Sequence, residues 1–165
     1  MDTIQAIKSR RSVRAYKPDP IPQEVLDDIL DCGRLAPTGH NSQNWRFVVV
    51  TDAAMRARFA QEAMYGKFFE QAPVCIVVFT GKEATTPMED ASAATTAMMY
   101  AAQAYGLGTC WVASFQRAHS NAIKELLGAP EGWELMTMFA LGVPAGGSNM
   151  PRKKALEEIV AYNKF

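Results

Sequence analysis

Arg10, Arg11, Ser12 and Arg14 fall within the five residues R-R-S-V-R. Guanidinium forks grip phosphate oxygens in pairs and a serine hydroxyl adds a donor, so this density suits an anion. A second stretch, P-T-G-H-N-S-Q at residues 37–43, places Pro37, Thr38, Asn41 and Gln43 in a turn-rich segment. Its hydroxyl and amide groups suit a heterocycle or a polyol. The third, P-R-K at residues 151–153, offers Arg152 and Lys153 as a further phosphate or sugar contact. Each stretch alone is unspecific, because a solvated basic face has the same composition.

The charge distribution makes the three stretches stand out. The chain has 17 basic and 17 acidic residues and is formally neutral, yet residues 3–18 carry five cations and no acid, and residues 152–154 add three more. The remainder is not basic, which argues against a nucleic-acid surface. His40 and His119 have no carboxylate or metal-ligand partner at a useful spacing, so both read as hydrogen-bonding loop histidines and no metal is expected. Cys32, Cys75 and Cys110 form no C-x-x-C pair and sit among apolar neighbours; they read as reduced, mostly buried thiols.

The elements that must position these groups follow from periodicity. With 165 residues and 48% hydrophobic content, residues 1–165 read as a single domain with one core. No apolar run approaches the roughly 18 residues of a membrane span and no secretory pattern is present, so a cytoplasmic protein without membrane contact is expected. Asp2 caps a short helix at residues 3–8, and the basic stretch leaves its end. A second helix starts at residues 21–24 and repeats Val25, Leu26, Ile29 and Leu30 at helical spacing. Residues 45–51, 74–79, 109–113 and 134–141 read as strands, the second of them buried on both faces. Residues 53–64 read as a helix, residues 121–127 as a helix capped by Ser120, and residues 156–162 as a closing helix. Residues 88–105 form a helix apolar nearly all round, stopped by Gly106, which must be sandwiched between sheet and helix or against a second subunit. Trp45, Trp111 and Trp133 read as core residues. The irregular order of helices and strands gives an α+β fold with an antiparallel or mixed central sheet flanked by helices.

R-R-S-V-R, A-P-T-G-H-N-S-Q-N-W, A-Y-G-L-G-T-C-W and L-G-V-P followed by P-R-K resemble, in this order and over essentially the whole chain, the FMN-dependent nitroreductase family. The resemblance implies a nitroreductase-like homodimer with one FMN in each of two interfacial sites, and the helix at residues 88–105 at or near that interface. It implies an oxidoreductase in which NADH or NADPH delivers hydride to flavin N5. The same pocket then passes it to a small electron-poor acceptor such as a nitroaromatic or quinone, a ping-pong cycle with no catalytic side chain. Arg10, Arg11, Ser12 and Arg14 would hold the flavin from one subunit, with Arg152 and Lys153 beside them. Pro37, Thr38 and Asn41 would reach in from the other, and Gln43 would either join them or support their loop. Arg14 would stand by N1 and the C2 carbonyl or make a second phosphate or ribityl contact, and the backbone of Ala113 and Ser114 would face N5.

Two departures from the family pattern bear on this. Met150 stands where larger members carry a lysine, leaving Lys153 as the substitute, and Ala113 stands where small members often show glycine. The chain is also short: only residues 65–69 and 117–119 remain to line the opening, with Phe68, Phe69 and Phe115 reading as core or interface. A protein that stores FMN with little turnover is the alternative these departures would favour.

Overall fold

Strand β2 (Val74–Gly81) has every residue buried, which only the interior of a covered sheet allows. The computed structural model describes residues 1–147 and 150–165. In it β2 pairs antiparallel with β1 (Trp45–Val50) on one side and β4 (Trp133–Gly142) on the other, and β4 pairs antiparallel with β3 (Gly108–Ala113). The sheet order is β1-β2-β4-β3, and the expectation of an antiparallel or mixed sheet resolves to antiparallel throughout. A register shift at Val78/Phe79 interrupts the central β2–β4 ladder.

Alternation along these strands divides the core in two. Cys75, Val77, Phe79, Cys110 and Met138 face α3 (Ala53–Glu62), α5 (Ser120–Leu126) and a 3-10 turn at Lys67–Glu70. Ile76, Val78, Met136 and Phe139 face α4 (Pro87–Ala104), which is itself covered by α2 (Gln23–Arg34). The apolar α4 is therefore sandwiched within its own chain, between sheet and helix. Gly33 on α2 permits the close approach, since a Cβ there would lie 2.7 Å from Met98 Cγ. On the other side, the Thr95 and Thr137 hydroxyls hydrogen-bond at 2.6 Å and tie α4 to β4.

Helix α1 (Thr3–Ser9) packs against α4 through Ala6 and leaves Ile4 59% and Ile7 41% exposed, so its apolar stripe has no cover in the protomer. Ser120 does not cap α5 as the sequence suggests. The helix begins at Ser120, whose hydroxyl donates to the Ser114 carbonyl and accepts from the Arg117 N–H. The closing helix expected at residues 156–162 is reduced to a 3-10 turn at Leu156–Glu158, and every residue from 150 onward is exposed. So short a helix is marginal without a surface to pack on, and the protomer offers it none. Among the described residues no helix is long and apolar enough to cross a membrane.

Arg56 on α3 fixes the turn at Lys67–Glu70: its guanidinium donates to the carbonyls of Phe69 and Glu70, at 3.5 and 3.2 Å, and to that of Ala72. Arg56→Ala is expected to cost about 2 kcal/mol of stability in urea unfolding, with faster amide exchange at residues 67–72.

Candidate functional site

The basic segment after α1 is laid against the end of the sheet. Ser12 forms a parallel bridge with Thr109 on β3, the Val13 N–H donates to the Thr109 carbonyl at 2.9 Å, and the Tyr16 hydroxyl donates back to the Val13 carbonyl at 2.5 Å. Gly108 makes this contact possible, because a Cβ there would stand 2.7 Å from a Val13 methyl. Farther along, the Lys17 N–H donates to the Val143 carbonyl and the Ala145 N–H to the Ala15 carbonyl, both at 2.9 Å.

One consequence is a cavity of about 470 Å³ into which both basic clusters turn. Lys8, Arg10 and Arg11 line it from the end of α1, and Arg152 and Lys153 line it from the other end of the chain, with Met150 between them. Among the described residues no acid is present in its wall. Arg11 donates to the carbonyls of Lys8 at 2.9 Å and Arg10 at 2.7 Å, so part of its guanidinium closes the helix end. By contrast, Arg10 Nη1 and Arg11 Nε are buried and have no hydrogen-bond partner among the described residues. Like charges this dense with unmet donors are costly unless an anion joins them.

Four residues from Arg10, Arg14 lines a second cavity of about 490 Å³. Cys110, Trp111, Val112 and Ala113 of β3 form its floor, Met64, Tyr65 and Phe68 one wall, and Arg117, Ala118 and His119 its mouth. Ala113 is exposed to this space while Ser114 is fully buried behind it. The Ser114 N–H donates to the Met136 carbonyl at 3.3 Å, its hydroxyl donates to the Val112 carbonyl at 3.1 Å, and His119 Nε2 lies 3.1 Å from that hydroxyl. Burial pushes the His119 pKa below its ordinary value, with Arg117 adding to the effect. The Cys110 thiol is pushed up by burial, against the opposing pull of Arg14, its Ser12 hydrogen bond and Arg10. Among the described residues no cluster of histidine, cysteine or carboxylate side chains is arranged to hold a metal.

Pro37, Thr38, Asn41 and Gln43 line neither cavity of their own chain. Their loop sits at the start of α4, where the Gly39 N–H donates to Asp90 Oδ1 at 3.0 Å. The Gln43 N–H donates to the Thr38 hydroxyl at 3.1 Å and the Gln43 side-chain amide to the Asn41 carbonyl at 3.4 Å, so Gln43 supports the loop from within. Sequence reasoning passed over Asp90. Its signal was an acid in the first turn of a helix otherwise nearly free of charge. Phe68, read as core or interface, is buried and also walls the second cavity, whereas Phe69 is wholly core. Trp45 is buried, while Trp111 and Trp133 are half-buried.

A basic cavity and a mostly apolar one of similar volume, both lined from the segment at residues 10–14, suit an elongated ligand with an anionic tail. Comparison with known proteins agrees. Residues 7–143 match the model of the Nitroreductase family, so the chain belongs to that family. It is 33% identical over 149 residues, 87% of this chain and 86% of the relative, to an Archaeoglobus fulgidus protein provisionally named NADH dehydrogenase/NAD(P)H nitroreductase. The solved FMN-dependent nitroreductase of Clostridium difficile R20291 is 29% identical and superposes with a TM-score of 0.92 over 98% of this chain and 99% of its own. A Bacteroides thetaiotaomicron structure with the same provisional name as the archaeal protein is likewise 29% identical, at a TM-score of 0.93 over 99% and 98% of the two chains.

The lowered His119 pKa carries a pH dependence of fixed sign. The folded protein binds fewer protons at this ring than the unfolded chain does, so its contribution to stability is present above the ordinary histidine pKa and declines as pH falls below it. NMR titration is expected to place His119 below a free histidine, and Arg117→Ala to move it part of the way back.

Proposed function

We propose that this chain is an FMN-dependent oxidoreductase that takes hydride from NADH or NADPH and passes it to a small electron-poor acceptor, such as a nitroaromatic or a quinone. The observation that carries the reading is the buried Arg10 Nη1, without a partner or a nearby acid among the described residues, in a five-cation cavity one short segment away from an apolar cavity. Bound FMN would supply the acceptance and release of hydride at its N5 atom. The chain's own residues do the rest. Arg10, Arg152, Lys153 and Lys8 hold the phosphate, and Arg11 divides its donors between that phosphate and the end of α1. Ser12 fixes the segment that spans the two cavities. Arg14 brings a cation into the ring cavity, where it stabilises negative charge on the reduced cofactor. Buried Phe68 backs one side of the ring cavity while exposed Met64 and Tyr65 line its edge, and exposed Ala113 presents its backbone on the β3 floor with buried Ser114 as its support.

The active unit is a homodimer. The uncovered Ile4 and Ile7 stripe, exposed Leu35 and Tyr105, and the exposed segment after residue 150 together leave more apolar surface than an isolated protomer accommodates well. In the dimer, Pro37, Thr38 and Asn41 of a second copy complete the flavin site, which accounts for their distance from the cavities of their own chain. Donor and acceptor use the same opening in turn, so steady-state kinetics should be ping-pong. Residues 1–165 act as one flavin-binding unit, and the three unpaired cysteines fit a reducing compartment such as the cytoplasm.

FMN titration followed by calorimetry tests the phosphate assignment. Arg10→Ala is expected to weaken FMN by about 10- to 100-fold, the scale of a lost charge-assisted hydrogen bond. Arg58→Ala, at an exposed pair with Glu62 on α3, should leave affinity unchanged. Equal affinity in Arg10→Ala and the parent protein would remove the phosphate from this cavity.

A further inference from the structure

We infer that Asp90 is a positioning residue for the loop at residues 37–43, and that through this loop it sets flavin affinity; the second half rests on the flavin reading above. Asp90 is 4% exposed and, among the described residues, forms no ion pair. Its Oδ1 accepts from the Gly39 N–H at 3.0 Å and from the Thr86 hydroxyl at 2.9 Å. Burying a carboxylate is costly unless hydrogen bonds satisfy it, and the same bonds hold their donors in place.

What it holds is a loop in an unfavourable conformation. His40 and Asn41 have φ of 53° and Gln43 has φ of 49°, left-handed values that side chains with a Cβ adopt at a cost. The Thr38 hydroxyl braces this turn from within, and among the described residues Asp90 is the one side chain outside residues 37–43 that hydrogen-bonds to it. Gly39 is pressed so close to Thr86 that a Cβ would collide with the Thr86 hydroxyl. Of the groups assigned to a partner's flavin, Thr38 directly precedes the anchored Gly39 and Asn41 follows it two residues on. An error in its position is therefore carried straight to them.

The test measures FMN affinity together with amide hydrogen exchange at residues 37–43 in the protein of residues 1–165. Asp90→Ala is expected to speed exchange in the loop and to weaken FMN at least about ten-fold. Asp90→Asn keeps an oxygen acceptor for Gly39 and should remain within about three-fold of the parent protein. Gly39→Ala displaces the loop without removing a core group and should reproduce the loss seen in Asp90→Ala. Unchanged exchange in Asp90→Ala would overturn the anchor. Faster exchange with unchanged FMN affinity in either folded variant would overturn the link to the cofactor. A parent protein that binds no FMN would instead overturn the flavin reading, and the exchange arm would still report on the anchor.

Discussion

The pairing of Ser12 and Val13 with Thr109 is the contact on which the site depends. It converts a basic run leaving a helix into a fifth, irregular line of backbone against the sheet. Arg10 is thereby turned into one cavity and Arg14 into the other. The Tyr16 hydroxyl closes the turn, and desolvation at this buried position pushes the phenol strongly away from ionisation, keeping it a donor to Val13. A side chain at Gly108 would drive the segment off the strand.

That arrangement creates an electrostatic problem the protein cannot solve alone. Five cations share one cavity, and two of their nitrogen atoms are buried with no partner among the described residues. Repulsion of this kind is stable only at the expense of the surrounding fold or with an anion in place. The fold meets the first demand with a fully covered β2, an α4 helix buried between sheet and α2, and a threonine pair crossing between α4 and β4. The second demand is what defines the ligand. Residues 37–43 lie away from both cavities of their own chain, and in the proposed dimer a second copy brings them to the site.

Much of this was legible in the sequence. The four strands, the capped first helix and the glycine-terminated long helix were marked by local signals: β-branched runs, Asp2, and Gly106 with its φ of 76°. Convergence of Arg10 and Arg11 with residues 151–153 is legible only through their shared charge and the family resemblance, since nothing local links the two ends. The closing helix was misread because its apolar pattern has no partner surface within the protomer. Ser120 was misread because a serine before a helix can satisfy another loop instead, here the Ser114 carbonyl. Asp90 was missed because its role is tertiary: its partner Gly39 is far away along the chain, and no spacing rule connects them.

The most direct measurement of the central claim is the visible absorbance of the purified protein with FMN, recorded anaerobically before and after addition of NADH or NADPH. Bound flavin that bleaches on adding a donor and regains its colour when a quinone or nitroaromatic is supplied is the expected result. Bound flavin that stays oxidised with both donors would contradict the oxidoreductase account and leave a protein that stores the cofactor.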